Sequence, residues 1–600
     1  MRFRVIAVRR TTVLAMIAVV LGCSTAGRRT LPGDAGSDGR SRADARSDGR
    51  EPKDARGGDA ARARDASPVD AGGKEASRGD GAAHEAGSVD VDSGRPDACD
   101  AGAKDARPVD GGTHEASHAD AAESGTDAPP PPTTTISLSP LPLEPPFSTA
   151  IHDYYVRCAA GTNTLTVSMT AAPGSTIALQ QPVVDAGPGG AVQTVEVTEN
   201  EAIVVGVTAD GGTDQYWIRC LPHDFPKMLM THYPDAGTPT PGYYLVGNMF
   251  MAAGDLGYAA AIDGNGVPVW YQATSTGAGA FNVDNPAPGT ISLLPYPACN
   301  YTFGDVGGEY ELYDLVDATT TYVEPSSVPL DVHELQPLPN GDYLVIAAPI
   351  LTGVDLEGLD SFSDNANMID CVIQEVDPTG ASVWQWTASE HLDPVQDSTG
   401  PMVDVVDGVL VADVFHCNSV GVDANGDVLV SARNMDSVFL VSRTTSAILW
   451  KMGGATYTTD GAPYLTVTGD PLTTFHTQHD ARVLSNGDIS MFDDQTTTPG
   501  PARAVVYSLD LTAGTATLVW EYDGSVSVAG MGSFRITEDG SRVIGWGYSG
   551  PDGRAFTEVD ATGNDLLDFV FTDGTRSYRA IKVPTSAFDI ALLRSTAGKS

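Results

Sequence analysis

His333-Glu334-Leu335-Gln336-Pro337-Leu338-Pro339-Asn340-Gly341-Asp342 and His479-Asp480-Ala481-Arg482-Val483-Leu484-Ser485-Asn486-Gly487-Asp488 are two copies of one pattern. In each, a His stands seven residues before the Asn of an Asn-Gly-Asp turn. Asn-Gly between alternating apolar residues is the strongest short-range signal for a β-hairpin. A third copy, Asp423-Ala424-Asn425-Gly426-Asp427-Val428-Leu429, has His416 nine residues ahead of its Asn, and Thr537-Glu538-Asp539-Gly540-Ser541 is a degenerate fourth. A second element accompanies the first: an apolar strand, a turn and an aromatic ending, at Trp270, Trp384, Trp450 and Trp520. Two hairpins per repeat make a four-stranded antiparallel sheet, and radial repetition of such sheets is a β-propeller. Six units follow, around residues 242–271, 291–324, 333–386, 416–452, 479–522 and 533–571, with Ser577–Val583 expected to close the ring.

The expected fold class is therefore all-β, with a six-bladed propeller over residues 235–600. Ahead of it, residues 133–226 alternate apolar and polar residues in short runs such as Thr164-Leu165-Thr166-Val167-Ser168-Met169, separated by Gly, Asn and Pro turns. These runs predict a small β-sandwich, and the segments His152-Asp153-Tyr154-Tyr155-Val156 and Tyr216-Trp217-Ile218 resemble the opening and closing strands of cadherin-like modules. Residues 24–132 form the expected tether: up to residue 128 they are nearly all Ala, Asp, Gly, Arg and Ser with no aromatic residue, too little apolar area to offset the entropy of ordering. Residues 1–23 read as an export signal, with Arg2, Arg4, Arg9 and Arg10 before the apolar run Thr11–Leu21, which is too short to span a membrane. The signal ends in Val20-Leu21-Gly22-Cys23, which resembles the lipobox of bacterial lipoproteins. That resemblance implies an acylated Cys23, and Ser24 after it implies sorting to the outer membrane.

Charge and cysteine usage narrow the function. Residues 129–600 carry 16 Lys and Arg against 56 Asp and Glu, and a surface so acidic repels phosphate backbones, so nucleic acid is not an expected partner. Of seven Cys, Cys158 and Cys220 sit in two similar strand-like runs and are the disulfide candidates, whereas Cys99, Cys299, Cys371 and Cys417 are scattered. There is no Cys-x-x-Cys, so no thiolate zinc site is expected.

The two-residue difference in spacing leaves His416 with the same pleat parity as His333 and His479, so three consecutive blades present a His on the strand that lines the channel. The return strand of each hairpin places Arg433, Asp493 with Asp494, and Trp546 at the same level. Asp331-Val332-His333-Glu334-Leu335, Phe415-His416-Cys417-Asn418-Ser419, Ser431-Ala432-Arg433-Asn434, Trp450-Lys451-Met452-Gly453-Gly454 and Gln478-His479-Asp480-Ala481 with Phe492-Asp493-Asp494 resemble the motifs of arylsulfotransferases over roughly residues 240–582. The resemblance implies a propeller that moves a sulfuryl group from one phenol to another without a nucleotide donor. By motif, His479 takes the place of the nucleophile that is transiently sulfated, and His333, His416 and Arg433 the places of the groups that hold the sulfuryl oxygens. Cys417 departs from the related strings.

The residue types suit that chemistry by themselves. A neutral imidazole nitrogen attacks sulfur and leaves again, fixed donors stabilise the oxygens, and an imidazole titrating near neutrality protonates the departing phenolate. Asp493 or Asp494 would orient His479, and Trp546 would offer a stacking surface to an aryl group. No metal or cofactor is required, and the expected partners are a phenolic sulfate donor, a phenol acceptor and a membrane reached through the lipid. A quinoprotein dehydrogenase lacks support, without an adjacent Cys pair, and a glycosidase would need paired carboxylates where these blades carry His. A surface-anchored propeller that binds a ligand or partner without catalysis remains the alternative.

Overall fold

The computed structural model describes residues 133–183, 191–249, 255–275, 278–297, 308–325, 328–406, 408–456, 459–498, 500–550 and 553–599. The expected signal segment 1–23 with Cys23, the tether 24–132, and Cys99 and Cys299 lie outside the described residues.

Two sheets fill the first part. One is three-stranded (Thr135–Ser139, Asn163–Thr170 and Ala191–Val197), the other four-stranded (Asp153–Arg157, Thr176–Gln181, Ala202–Ala209 and Gly212–Leu221). Alternation puts Leu165, Val167, Val195, Ile203, Val205, Tyr216 and Ile218 into one shared core. A disulfide joins Cys158 to Cys220 at its edge.

Six four-stranded antiparallel units follow, numbered as sheets in chain order: three are separate sheets, two lie within one nine-stranded sheet and one within a five-stranded sheet. The second, fourth, fifth and sixth are built from consecutive strands, over 278–323, 417–452, 479–523 and 533–571, and the third from strands between 330 and 387 that two strands of another sheet interrupt. The first takes Gly242–Gly247, Tyr258–Ile262 and Pro268–Ala273 and is completed by Ala580–Pro584 from the far end of the chain. The innermost strands touch their neighbours in sequence order, and Ser533–Ile536 of the sixth sheet returns to Ala580–Pro584. The result is a propeller-like all-β fold.

Turn chemistry explains the hairpins: Gly341, Gly426 and Gly487 of the three Asn-Gly turns have φ of 92°, 87° and 86°, a region that glycine alone enters without cost. The aromatic endings bind sheet to sheet. Trp270 packs on Tyr313, the Trp384 ring carries the Arg443 guanidinium 5.6 Å from its centroid, and Trp520 stacks on Phe534.

Three features depart from the simple repeat. Met228–His232, between the expected sandwich and propeller, joins the sixth sheet as a fifth strand. Tyr464–Thr468 pairs in parallel with the outer strands of both the fourth and the fifth sheet. Ile350–Val354, Ala366–Ile369, Met402–Val406 and Val409–Asp413 form an extra sheet whose central pair is parallel.

Candidate active site

His333 lies within the innermost strand Leu330–Pro337, His416 immediately ahead of Cys417–Val422, and His479 opens His479–Val483. Pleat parity is not what aligns them. Every one of these strands breaks register at its His, between Leu330 and Leu335, Cys417 and Ser419, and His479 and Arg482. His416, Thr477 and Asp480 hold φ of 48°, 53° and 54°, strained for residues with a Cβ and costing on the order of 1–3 kcal/mol each. Bulges re-aim side chains, and here they turn three imidazoles toward one point. The ring centroids of His333 and His416 are 5.0 Å apart, and that of His479 lies 6.3 and 6.4 Å from them. One ring nitrogen from each lies within 4.8 Å of those of the other two.

Each imidazole is held from behind at Nδ1. The Asp331 carboxylate accepts from His333 at 2.5 Å, and Asp413 does the same for His416. His479 Nδ1 is 3.2 Å from the Thr477 carbonyl oxygen and 3.1 Å from Asp494 Oδ2. Asp494 is itself fixed by the hydroxyls of Thr477 and Thr496. Burial pushes the His479 imidazole down to about 4, further than the Asp494 carboxylate can draw it up. Burial likewise lowers His416, against the opposing pull of Asp413. Both rings are therefore neutral at pH 7, the form in which a ring nitrogen carries a lone pair. Asp494 stays ionised: burial pushes its carboxyl up, but His479 and Arg433 outweigh that and hold it below the ordinary range.

Arg433 starts a short turn after Val428–Ala432, and its backbone N–H donates to the His416 carbonyl at 3.0 Å. Its guanidinium donates to Asn434 Oδ1 at 2.8 Å and Thr496 Oγ1 at 3.1 Å, which aims it alongside the imidazoles. A small cavity is lined by Asp331, His333, Asp413 and His416 together with Cys371 and Cys417, which are joined by a disulfide. A wider groove between the Asp423–Asp427 and Leu484–Asp488 turns contains none of these residues.

Behind the imidazoles runs a buried charge network. Glu334 accepts from Arg482 at 2.6 Å and from Arg579 at 3.2 Å, and Asp480 accepts from Arg482 and Arg535 at 2.6 and 2.7 Å. Burial pushes Asp480 up, yet Arg535, Arg482 and Arg579 together hold its carboxyl far below the usual range. The network spans the third, fifth and sixth sheets and the residue before the closing strand, and it anchors the neighbours of His333 and His479.

Two expected site residues are placed elsewhere. Asp493 turns away from His479, pairs with Arg503 at 2.8 Å and binds Gln495. Trp546 is fully buried, donates to Thr557 Oγ1 at 2.8 Å and packs on Phe492 and Tyr522, so it is core and offers no stacking surface. Asp331, Asp413, Thr477, Thr496 and the Cys371–Cys417 bridge were missed from sequence. Asp331 had a signal, since Asp-x-His puts both side chains on one face of a strand. Asp413 had none, because it reaches His416 only through the left-handed turn there.

Residues 309–572 match the arylsulfotransferase (ASST) family model. The arylsulfotransferase match contains all three imidazoles, Arg433 and Asp494, and stops short of Arg579 and the closing strand. No curated protein matches the chain. Solved structures similar to it include a protein of unknown function from Bacteroides caccae (13% identity, TM-score 0.35, covering 57% of this chain and 99% of that one). Another is a periplasmic gluconolactonase from Pseudomonas aeruginosa (13% identity, TM-score 0.31, covering 57% and 100%). At these TM-scores the likeness bears on neither fold nor function.

Proposed function

We propose that the six sheets are the blades of a six-bladed propeller that transfers a sulfuryl group from an aryl sulfate ester to a phenol, through a sulfated His479 and without a nucleotide donor. The observation that carries this reading is the meeting of three buried imidazoles beside Arg433, inside the segment that matches the arylsulfotransferase family. Neutral His479, its Nδ1 held by Thr477 and Asp494, attacks sulfur through Nε2 as the S–O bond to the aryl group breaks. The departing phenolate takes a proton from His333. An incoming phenol returns that proton, its oxygen bonds to sulfur, and the S–N bond breaks. Arg433 acts as the fixed donor to the sulfuryl oxygens, with the two flanking imidazoles closing the site around them.

The chain around the propeller is proposed as a lipid-anchored, exported protein, with Cys23 acylated, residues 24–132 a tether, residues 133–226 a cadherin-like module, and the outer membrane as destination. Two disulfides support an oxidising compartment. A fatty-acid probe should label the wild type and leave Cys23→Ser unlabelled; equal labelling removes the anchor.

The transfer is tested by incubating the protein with an aryl sulfate and a different phenol. Ping-pong kinetics are expected, donor alone should add one sulfuryl mass at His479, and His479→Ala should lose both adduct and turnover. Transfer by His479→Ala at the wild-type rate refutes the nucleophile. A wild type inactive with every aryl sulfate favours the ligand-binding propeller.

A further inference from the structure

We propose that His333, His416 and His479 together bind one divalent late-transition-metal ion, with zinc as the reference. This site is independent of the sulfuryl-transfer reading, although it uses the same imidazoles. Their three ring nitrogens lie within 4.8 Å of one another. In a tetrahedral site with Zn–N bonds of about 2.0–2.1 Å the nitrogens stand roughly 3.3 Å apart, so each needs to move by less than about 1 Å.

The surroundings are those of a metal site. Metal-bound His residues are oriented by a carboxylate or carbonyl on the opposite ring nitrogen, which fixes the tautomer and raises ligand basicity. All three have such a partner on Nδ1: Asp331 for His333, Asp413 for His416, and Asp494 with the Thr477 carbonyl for His479. Imidazole nitrogens are borderline donors of the kind zinc prefers, and three protein ligands leave a fourth position for water or an oxygen anion. Bound zinc takes the lone pair that His479 would use on sulfur, so metal loading and sulfuryl transfer exclude each other.

The full chain with its disulfides intact is titrated with zinc chloride against a chromophoric chelator, and with Co²⁺ as a spectroscopic probe. His84, His114 and His118 lie in an acidic tract and offer weak background binding, so the measure is the difference between wild type and variants. One tight equivalent and the visible absorption of tetrahedral Co²⁺ are expected in the wild type. His333→Ala should lose both, and Asp331→Asn should keep the band with affinity about 10–100-fold weaker. If His333→Ala does not fold, as read by thermal unfolding, Asp331→Asn carries the comparison. Wild-type affinity in the folded variants, or no tetrahedral Co²⁺ band in the wild type, overturns the site. A protein that binds one zinc ion on titration but, freed of metal by a chelator, transfers no sulfuryl group leaves this site standing and refutes the transfer; one that transfers but binds no zinc does the reverse.

Discussion

In the proposed transfer, Asp494 carries part of the chemistry without touching substrate. Its Oδ2 faces His479 Nδ1 while its Oδ1 takes two threonine hydroxyls, so the carboxylate cannot rotate away. An amide in its place keeps the shape and loses the charge that fixes the His479 tautomer. Asp494→Asn should therefore lower kcat for sulfuryl transfer by roughly 10²–10⁴-fold with little change in thermal stability. Steady-state kinetics beside a melting curve would check it, and an unchanged kcat would remove Asp494 from the mechanism. The positions of the three imidazoles were legible because a spacing repeated against the same turn shows even in one sequence. Of their partners, Asp494 was legible from its level on the return strand, whereas Asp331 was missed although its alternation with His333 offered a signal. Trp546 misled for the converse reason: spacing from the turn gives a level along the strand, not which face the ring packs against, and here Phe492 and Tyr522 enclose it.

At the scale of elements, Asn-Gly turns and Trp endings were readable since each is local chemistry. The extra sheet was not. Its central pair joins Asn367–Ile369 to Val411–Asp413 in parallel, and nothing local announces a pairing across an intervening sheet strand. That sheet still matters to the site, since its last residue is Asp413 and the Cys371–Cys417 bridge fastens its neighbourhood to His416. Asp404, on the paired strand, is raised to about 6 by burial and by the nearby Asp413. An unfolded Asp titrates near 3.9. Between these values the folded chain binds more protons than the unfolded one, so this contribution to stability is fully present below about 3.9 and is lost as pH rises through about 6. Asp404→Asn should raise stability at pH 7.5 by on the order of 1 kcal/mol, a figure discounted for its partial exposure, and should flatten the pH dependence between 4 and 6. Urea unfolding of both proteins at pH 5 and 7.5 measures this, and parallel pH slopes would contradict it.

Across the whole molecule, the six sheets are locked by charges placed where their innermost strands converge. Glu334 serves Arg482 and Arg579 at once, and removing one partner of a buried pair strands the others. Glu334→Gln should cost roughly 3–5 kcal/mol, read as a drop in the denaturant midpoint with an unchanged slope; a loss below about 1 kcal/mol would mean the network is dispensable. The sandwich is fastened to the rest by the short helix Ile590–Thr596, whose Arg594 binds both oxygens of Asp153 at 2.8 and 2.7 Å. A common core runs from Leu221 and Phe225 to Tyr258 and Tyr271. The sequence reading marked both bodies and not this junction, because seven helical residues at a chain end carry no periodic signal. The closing strand also sets a timetable. Lys582 reaches Thr240 across 342 positions, and Gly242–Gly247 has no inner partner until Ala580–Pro584 has been synthesised. The first sheet thus waits for a strand made long after its own, and loop closure over such a span is slow. Until that strand pairs, Gly242–Gly247 presents an open strand edge, where binding by a chaperone would compete with pairing to another chain.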